Sequence, residues 1–203
     1  QTAVLEMMVN GRVDFQAEAA RAGQKTAAPL IHSYTLEQIL KYVESVDFEE
    51  IKFINEAYRV NLELFEEGLS SPRTSFVKQF FKDNGNQRVS GDEVTTAQLL
   101  CNGGIEARVL GLEKAAMSIT GSGAHGIIAT LPLYAVSQVN KLGEEKLLRA
   151  TALSYLICMF IKEYSGKLSA FCGCAVAAGT GMACAMAWLK GAGKEQITLV
   201  INN

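Results

Sequence analysis

Three features of this sequence have residue types and spacing that could carry chemistry. The first is Gly121-Ser122-Gly123-Ala124-His125-Gly126, a glycine-rich loop running into an apolar helical pattern. Glycines let the backbone turn tightly and aim its N–H groups outward, and a following helix start adds partial positive charge. Such a place suits a carboxylate or a phosphate. No Gly-Lys-Ser/Thr follows, so it is not a Walker loop. No strong strand pattern precedes it, which argues against a dinucleotide fingerprint. The other reading is a helix–helix turn that needs glycine for packing. The second feature is Phe171-Cys172-Gly173-Cys174. Cys-x-Cys is too tight for a zinc knuckle, and no second cysteine pair lies at zinc spacing. The pair could give one or two thiolates to an iron–sulfur cluster, or be two buried cysteines. The third feature is His125, which could bind substrate, move a proton or cap the next helix. His32 precedes the first helical pattern and reads as a solvated turn residue. Cys158 and Cys184 read as core.

The elements that must position these residues are almost all helical. Asn10-Gly11 is a hairpin dipeptide with weak apolar alternation at Val4, Met7, Val9, Val13 and Phe15. An alanine-rich piece at Glu18–Gly23 has no strong partner. Thr35 with Gln38 matches a capping box, and Leu36, Ile39, Leu40 and Val43 follow at helical spacing. Asp47 opens a second helix with a stripe at Ile51, Ile54, Tyr58, Leu62 and Phe65, and Gly68 reads as its C′ stop. The acidic run Glu44–Glu67 reads as a solvated face. Ser71-Pro72 reads as the start of a third helix. Asp92 to Leu110 is a fourth, whose Gly103-Gly104 marks close packing, a kink or a break. Ile127 to Val139, with Pro132 inside, Glu144 to Tyr164, a stretch ending at Gly191, and Glu195 to Asn203 complete the series. The expected fold is mainly α, a multi-helix bundle with a very apolar central layer and at most a short strand pair near the N-terminus. Residues 1–34 read as a poorly defined leading segment and residues 35–203 as the helical domain.

Composition bounds the function. Hydrophobic residues make up 49% and charged residues 20%, which excludes a disordered chain. Net charge is −2, so the whole chain offers nucleic acid no cationic surface. The acids concentrate before residue 100, while residues 101–203 carry 6 acids and 9 bases. Leu168 to Leu189 holds no charge over 22 residues, and must be buried on nearly all sides or sit in lipid. Five cysteines, an odd number clustered in the apolar half, point to a reducing cytoplasm rather than a disulfide framework. The chain starts at Gln1 and stops inside an apolar run at Ile201-Asn202-Asn203, so both ends read as cut.

Taken together, four pieces resemble the serine dehydratase alpha-type family, in its L-cysteine desulfidase-like branch. Gly121-Ser122-Gly123 with Gly126, then Ala129-Thr130-Leu131-Pro132, resembles the family's glycine loop and Ala-Thr-Leu-Pro helix start. Glu106-Ala107-Arg108 resembles its Asp-Ala-Arg. Gly166-Lys167-Leu168-Ser169-Ala170 with Cys172-Gly173-Cys174 resembles its Gly-Arg-Leu-Ser-Ala-x-Cys-Gly-Cys. Asn61 followed by Glu67-Gly68-Leu69 resembles an upstream Asn and Glu-Gly-Leu. The resemblance implies a lyase that eliminates sulfide or water from L-cysteine or L-serine to give pyruvate and ammonia, using an oxygen-sensitive [4Fe-4S] cluster. It implies Cys174 or Cys172 as a cluster ligand, with Cys174 preferred because the Gly-Cys order recurs in the serine enzymes. It implies substrate contacts at Gly121, Ser122, Gly123, His125, Gly126 and Thr130, and names no general base. A small amino acid is the implied partner, without nucleic acid or membrane, and homo-oligomerisation stays open. By the resemblance the family's two other cluster cysteines would fall beyond Asn203 and a further cysteine of an N-terminal domain before Gln1, so the chain reads as a fragment, inactive alone. The family's Asn-Gln is Ala124-His125 here, and its earlier Asn-Ser is Ile119-Thr120. Two other classes compete: a helical binding or regulatory domain without catalysis, and a small membrane protein spanning at residues 168–189.

Overall fold

The computed structural model describes residues 6–16, 28–166 and 169–203. The expected alanine-rich piece at Glu18–Gly23, Val4, and Lys167-Leu168 of the Gly-Lys-Leu-Ser-Ala motif lie outside the described residues. The chain opens with an antiparallel hairpin of β1 (Glu6–Val9) and β2 (Arg12–Gln16). Asn10 and Gly11 both take positive φ at its turn, as a two-residue type I′ hairpin demands. Among the described residues, every longer element after it is a helix.

The caps legible in the sequence form as expected. Thr35 and Gln38 close a reciprocal capping box at the start of α1 (Leu36–Ser45). Asp47 caps the short α2 (Phe48–Ile51) through the Glu49 N–H, and Asp92 caps α5 (Glu93–Val109) through the Thr95 N–H. The expected long second helix instead breaks into α2, a 3₁₀ turn at Lys52–Ile54, and α3 (Asn55–Ser70). Within α3, Gly68 is not a stop: the helix runs two residues past it. A Cβ there would meet the Ala107 Cβ at 3.0 Å and the Gly103 carbonyl at 3.1 Å, so this glycine lets α3 and α5 touch.

The third helix also starts later than Ser71-Pro72. The chain turns first, and α4 (Phe76–Asp83) begins after Ser75. Its first N–H groups are met from a distance. Glu106 on α5 accepts from the N–H of Ser75 and Phe76 with one carboxylate oxygen and of Val77 with the other. A carboxylate there also meets the positive end of the helix dipole. Glu67 acts likewise, accepting from the N–H of Glu113 and Lys114. So the acidic run is a solvated face for Glu49, Glu56 and Glu63, all paired to surface cations, but not for Glu67.

The glycine pair of α5 produces close packing rather than a break. Gly103 faces Val77 and Phe65, and Gly104 faces Ile127 and Leu131, so α5 is gripped on two sides. Behind it, α6 (Gly123–Val139) carries Ile127, Ala129, Leu131, Leu133 and Ala135 with no exposed surface. This is the apolar central layer. A helix apolar all round has to be a buried one. The helix α7 (Glu144–Ser165) packs on α6 and ends at Gly166, whose φ is +72°.

The charge-free stretch departs from expectation. It is not buried on nearly all sides: Phe171, Cys172, Ala175 and Val176 are exposed, and Met182 and Trp188 are half-buried. It starts as a π-helical segment at Cys174–Gly179 and continues as α8 (Thr180–Leu189), followed by α9 (Lys194–Asn202). Among the described residues no helix is long and apolar enough to cross a membrane. Gly181 fastens α8 to α7, because a Cβ there would lie 2.3 Å from the Ser154 carbonyl oxygen. His32 is not a solvated turn residue. It sits in a 3₁₀ turn (Leu30–Ser33), bonds the Phe160 carbonyl through Nε2 at 3.0 Å and stacks on Tyr164 at 3.9 Å.

Two outcomes follow from these contacts. Gly181→Ala should destabilise the fold by about 2–3 kcal/mol, because a backbone carbonyl cannot move aside. Gly91→Ala, where a Cβ meets nothing within 4 Å, should change stability by only a few tenths of a kcal/mol. Urea unfolding of both variants measures the difference. Burial tends to raise the Glu106 pKa, but the three backbone N–H groups outweigh it and hold the carboxyl below its ordinary value. Its stabilisation is therefore present above the unfolded glutamate pKa of about 4.3 and is lost as pH falls through the lower folded value. Glu106→Gln should flatten that acid limb of a stability-against-pH curve, and an unchanged limb would contradict the assignment.

Candidate active site

The glycine loop is shorter than its sequence suggests, because α6 starts inside it. Ser122 is the N-cap, and Gly123 to Gly126 form the first helical turn. Ahead of the cap is a tight turn in which Ile119 and Ser122 exchange backbone hydrogen bonds at 3.3 and 3.0 Å. Its two central residues, Thr120 and Gly121, have φ of +54° and +79°. Glycine adopts this freely, but a β-branched threonine does not. Strain of about 1–3 kcal/mol is the usual cost of such a conformation and collects at functional sites.

This turn is pinned to the core at Gly126. A Cβ there would fall 1.8 Å from the Met117 carbonyl oxygen, so the loop crosses α6 where no side chain intervenes. Asn61, fully buried on α3, ties the crossing. Its Oδ1 accepts from the Met117 N–H at 3.0 Å, and its Nδ2 donates to the Thr130 hydroxyl oxygen at 3.0 Å and the Gly126 carbonyl at 3.4 Å. Thr130 donates in turn to the Gly126 carbonyl at 2.7 Å. Thr130 thus stands one turn behind the loop, fully buried, with its hydroxyl committed to the fold.

The loop, α5, α7 and the π-helical segment meet at one corner. His125 is buried on the first turn of α6, and its Nδ1 lies 2.7 Å from the Thr120 hydroxyl. Its Nε2 faces Gly173: a Cβ at that glycine would sit 2.8 Å from Nε2, and 3.6 Å from the Lys162 Cε. The sequence therefore places His125 within reach of the Cys172-Gly173-Cys174 turn. The expectation that this histidine could cap the helix does not hold, since Ser122 fills that position.

Two cations complete the corner. The Arg108 side chain lies against Gly123, where an added Cβ would meet its Nε at 2.9 Å. Lys162 is buried on α7 and donates from Nζ to the Gly166 carbonyl at 2.8 Å and the Ser169 hydroxyl at 3.2 Å. Burial lowers the His125 pKa, and Lys162 and Arg108 lower it further, so the imidazole is neutral at neutral pH. A neutral imidazole near the buried Lys162 and the exposed Arg108, beside backbone N–H groups at a helix start, suits a bound carboxylate. Lys162 and Thr120 were not singled out from sequence. Lys162 had a signal: it is one cation four residues after Cys158 in an otherwise apolar run, hence on the same helical face.

The cysteines divide sharply. Cys158 and Cys184 are buried, as expected, and burial pushes both thiols up to about 11. Cys101, half-buried on α5, is pushed up to about 12 by burial and by the neighbouring Cys174. Cys174 is half-buried and raised by burial and by Cys172. Cys172 is exposed, and its sulfur receives the N–H groups of Ala175 and Cys174, which lower its pKa. Among the described residues, no three His, Cys, Asp or Glu side chains are gathered so as to hold a metal ion. An apolar groove lined by Phe76, Phe80, Ile105 and Val109 lies between α4 and α5, away from this corner. Its one titratable group, Glu106, is committed to the start of α4.

In the metal-free chain iodoacetamide should therefore alkylate Cys172 first and Cys101, Cys158 and Cys184 last. Peptide mass analysis over time reads the order. Cys172→Ser should abolish the fast phase, and fast labelling of Cys158 would contradict the structure.

The model of a family described as serine dehydratase alpha chain matches residues 4–203. A UPF0597 protein of Clostridium botulinum (strain Langeland) is 43% identical over 168 residues, covering 83% of this chain and 38% of that protein. One from Methanocella arvoryzae is 38% identical over 174 residues, covering 86% of this chain and 41% of its own. One from Clostridioides difficile (strain 630) is 34% identical over 189 residues, covering 93% and 44%. The chain thus spans about two fifths of the length of these relatives. No solved structure matches it. With a family match across nearly its whole length, the chain belongs to the serine dehydratase alpha chain family.

Proposed function

We propose that this chain is the core of an iron–sulfur-dependent amino-acid lyase, which eliminates sulfide or water from L-cysteine or L-serine to give pyruvate and ammonia. The observation that carries the reading is the single corner shared by the glycine turn, two cations, a neutral histidine and the Cys-x-Cys turn. A serine dehydratase relationship makes an α-amino acid the natural ligand for it. Its carboxylate would be held at the Gly121–Gly126 turn by the N–H groups of Gly121 and Gly123, with Arg108 beside them, while the N–H groups of Ser122 and Gly126 bond the Ile119 and Ser122 carbonyls and hold the turn in shape. His125 would face the reacting end, and Thr130 would hold the loop from behind.

The donor chemistry at the second edge fits a share in a [4Fe-4S] cluster. Cys172 favours the thiolate and Cys174 stands next to it, half-buried, at the start of a helical segment. In this reading Cys174, with Cys172 as the alternative, holds the cluster, and the further ligands lie outside the described residues. When bound, such a cluster supplies an open iron that acts as a Lewis acid on the leaving group or carboxylate. The chain's own residues bind and orient the amino acid, and the apolar packing of Ile119, Ile128 and Ile161 behind Cys158 keeps water from that side.

The test is anaerobic reconstitution of the polypeptide carrying this chain with iron and sulfide, followed by a pyruvate assay on L-cysteine and on L-serine. Cluster absorbance and pyruvate from one of the two are expected. Cys174→Ser should reduce turnover by more than the roughly 10–100-fold seen when only an outer partner of a metal site is lost. No cluster absorbance and no pyruvate from either substrate would overturn the reading in favour of a helical binding or regulatory domain.

A further inference from the structure

The resemblance to lyases names no proton acceptor, and His125 is the buried titratable group whose two ring nitrogens face different surroundings. Its Nδ1 meets only a hydroxyl, that of Thr120, at 2.7 Å. The same hydroxyl donates to the Ile119 carbonyl at 2.7 Å. A hydroxyl has one proton to give and two lone pairs to receive with. The carbonyl can only accept, so the Thr120 proton goes to Ile119. A lone pair of the same oxygen is then left to receive the Nδ1–H of His125. That arrangement gives both Nδ1 and the hydroxyl a partner, beside the Ser122 N–H that the Ile119 carbonyl also accepts. It requires the proton of the neutral imidazole to sit on Nδ1, leaving a lone pair on Nε2. That lone pair faces the bare Cα of Gly173, where any side chain would press on it at 2.8 Å.

We propose that Thr120 is a positioning residue that fixes His125 in the Nδ1–H tautomer, and that Thr120 and Gly173 together present Nε2 as the proton acceptor at the Cys172-Gly173-Cys174 corner. The left-handed backbone of Thr120 fits this role. A threonine is held at φ +54°, beside a glycine that bears the same conformation freely, and the result is a hydroxyl aimed at the imidazole. In an elimination from an α-amino acid, the α C–H bond breaks as the proton passes to Nε2. Its electron pair forms the double bond to the β-carbon, and the leaving group departs with its own pair. The acceptor role rests on the lyase reading, whereas the tautomer does not.

Nitrogen-15 spectra of the imidazole rings test the proposal directly, without cluster or substrate, at a pH above the ordinary imidazole value of about 6.5. The chain has two histidines, and His125→Gln assigns the signal. The wild-type chain should show a protonated Nδ1 and a bare Nε2. Thr120→Ser, which keeps the hydroxyl, should show the same. Thr120→Val, equally β-branched and without a hydroxyl, should move the proton to Nε2 or average the two nitrogens. A wild-type ring protonated on Nε2, or a Thr120→Val ring identical to wild type, would overturn the proposal. If the valine variant does not fold, the wild-type spectrum alone decides. A missing lyase activity would sink the acceptor role while leaving the measured tautomer standing.

Discussion

The crossing of the Met117-Ser118 backbone over Gly126 is the contact on which the rest of the site depends. A methyl group at Gly126 would sit inside the Met117 carbonyl, so the loop reaches α6 only because that side chain is absent. Asn61 then satisfies the backbone on both sides of the crossing from a third helix. Buried polar groups are costly unless bonded, and this amide has each of its functions met. From that fixed point the turn at Thr120-Gly121 can be held in a conformation it would not keep alone. His125, one helical position before Gly126, inherits its place from the same contact.

Around this point the helices are assembled by missing side chains and by remote carboxylates. Gly68, Gly103, Gly104 and Gly181 each bring two backbones or a backbone and a core side chain together. Glu106 reaches across to the first N–H groups of α4, and Glu67 to those of the bend at Glu113-Lys114 after α5. The outer ion pairs, such as Arg59 with Glu56 and Glu63, are exposed and contribute little by comparison. Tyr58 and Thr151 add a buried hydroxyl pair between α3 and α7.

Much of this was legible in the sequence wherever the signal is local. The capping residues Thr35, Asp47 and Asp92 mark helix starts because their side chains bond N–H groups two or three residues on. Asn10-Gly11 marks the hairpin for an equally local reason. Legibility fails where the decisive contact is distant. Gly68 looks like a stop and is a packing site, since Gly103 and Ala107 lie on another helix. Ser71-Pro72 looks like a start, but Glu106 draws the beginning of α4 four residues further on. His32 looks solvated because Phe160 and Tyr164, its partners, are more than a hundred residues away. At the site, the glycines and the Cys-x-Cys pair were visible as types. Thr120 was not, because residue type argues against the very backbone it adopts, and the resemblance covered its position with a different residue.

The π-helical segment at Cys174–Gly179 has its own consequence for how the two edges of the corner can vary. Such a segment takes up one more residue per turn than the α-helix that continues it. It therefore works as an angular coupling between Cys174 and α8. The face of α8 that locks onto α7 through Gly181, Cys184 and Ala185 is set independently of the number of residues in the segment. Losing one residue from the segment would convert it to α-helix and leave the cysteine turn facing nearly the same way, because the wider π turn absorbs the extra residue. Substitutions in the α8 packing face and adjustments of the cysteine edge are thereby separable, so each can drift in sequence without forcing change upon the other.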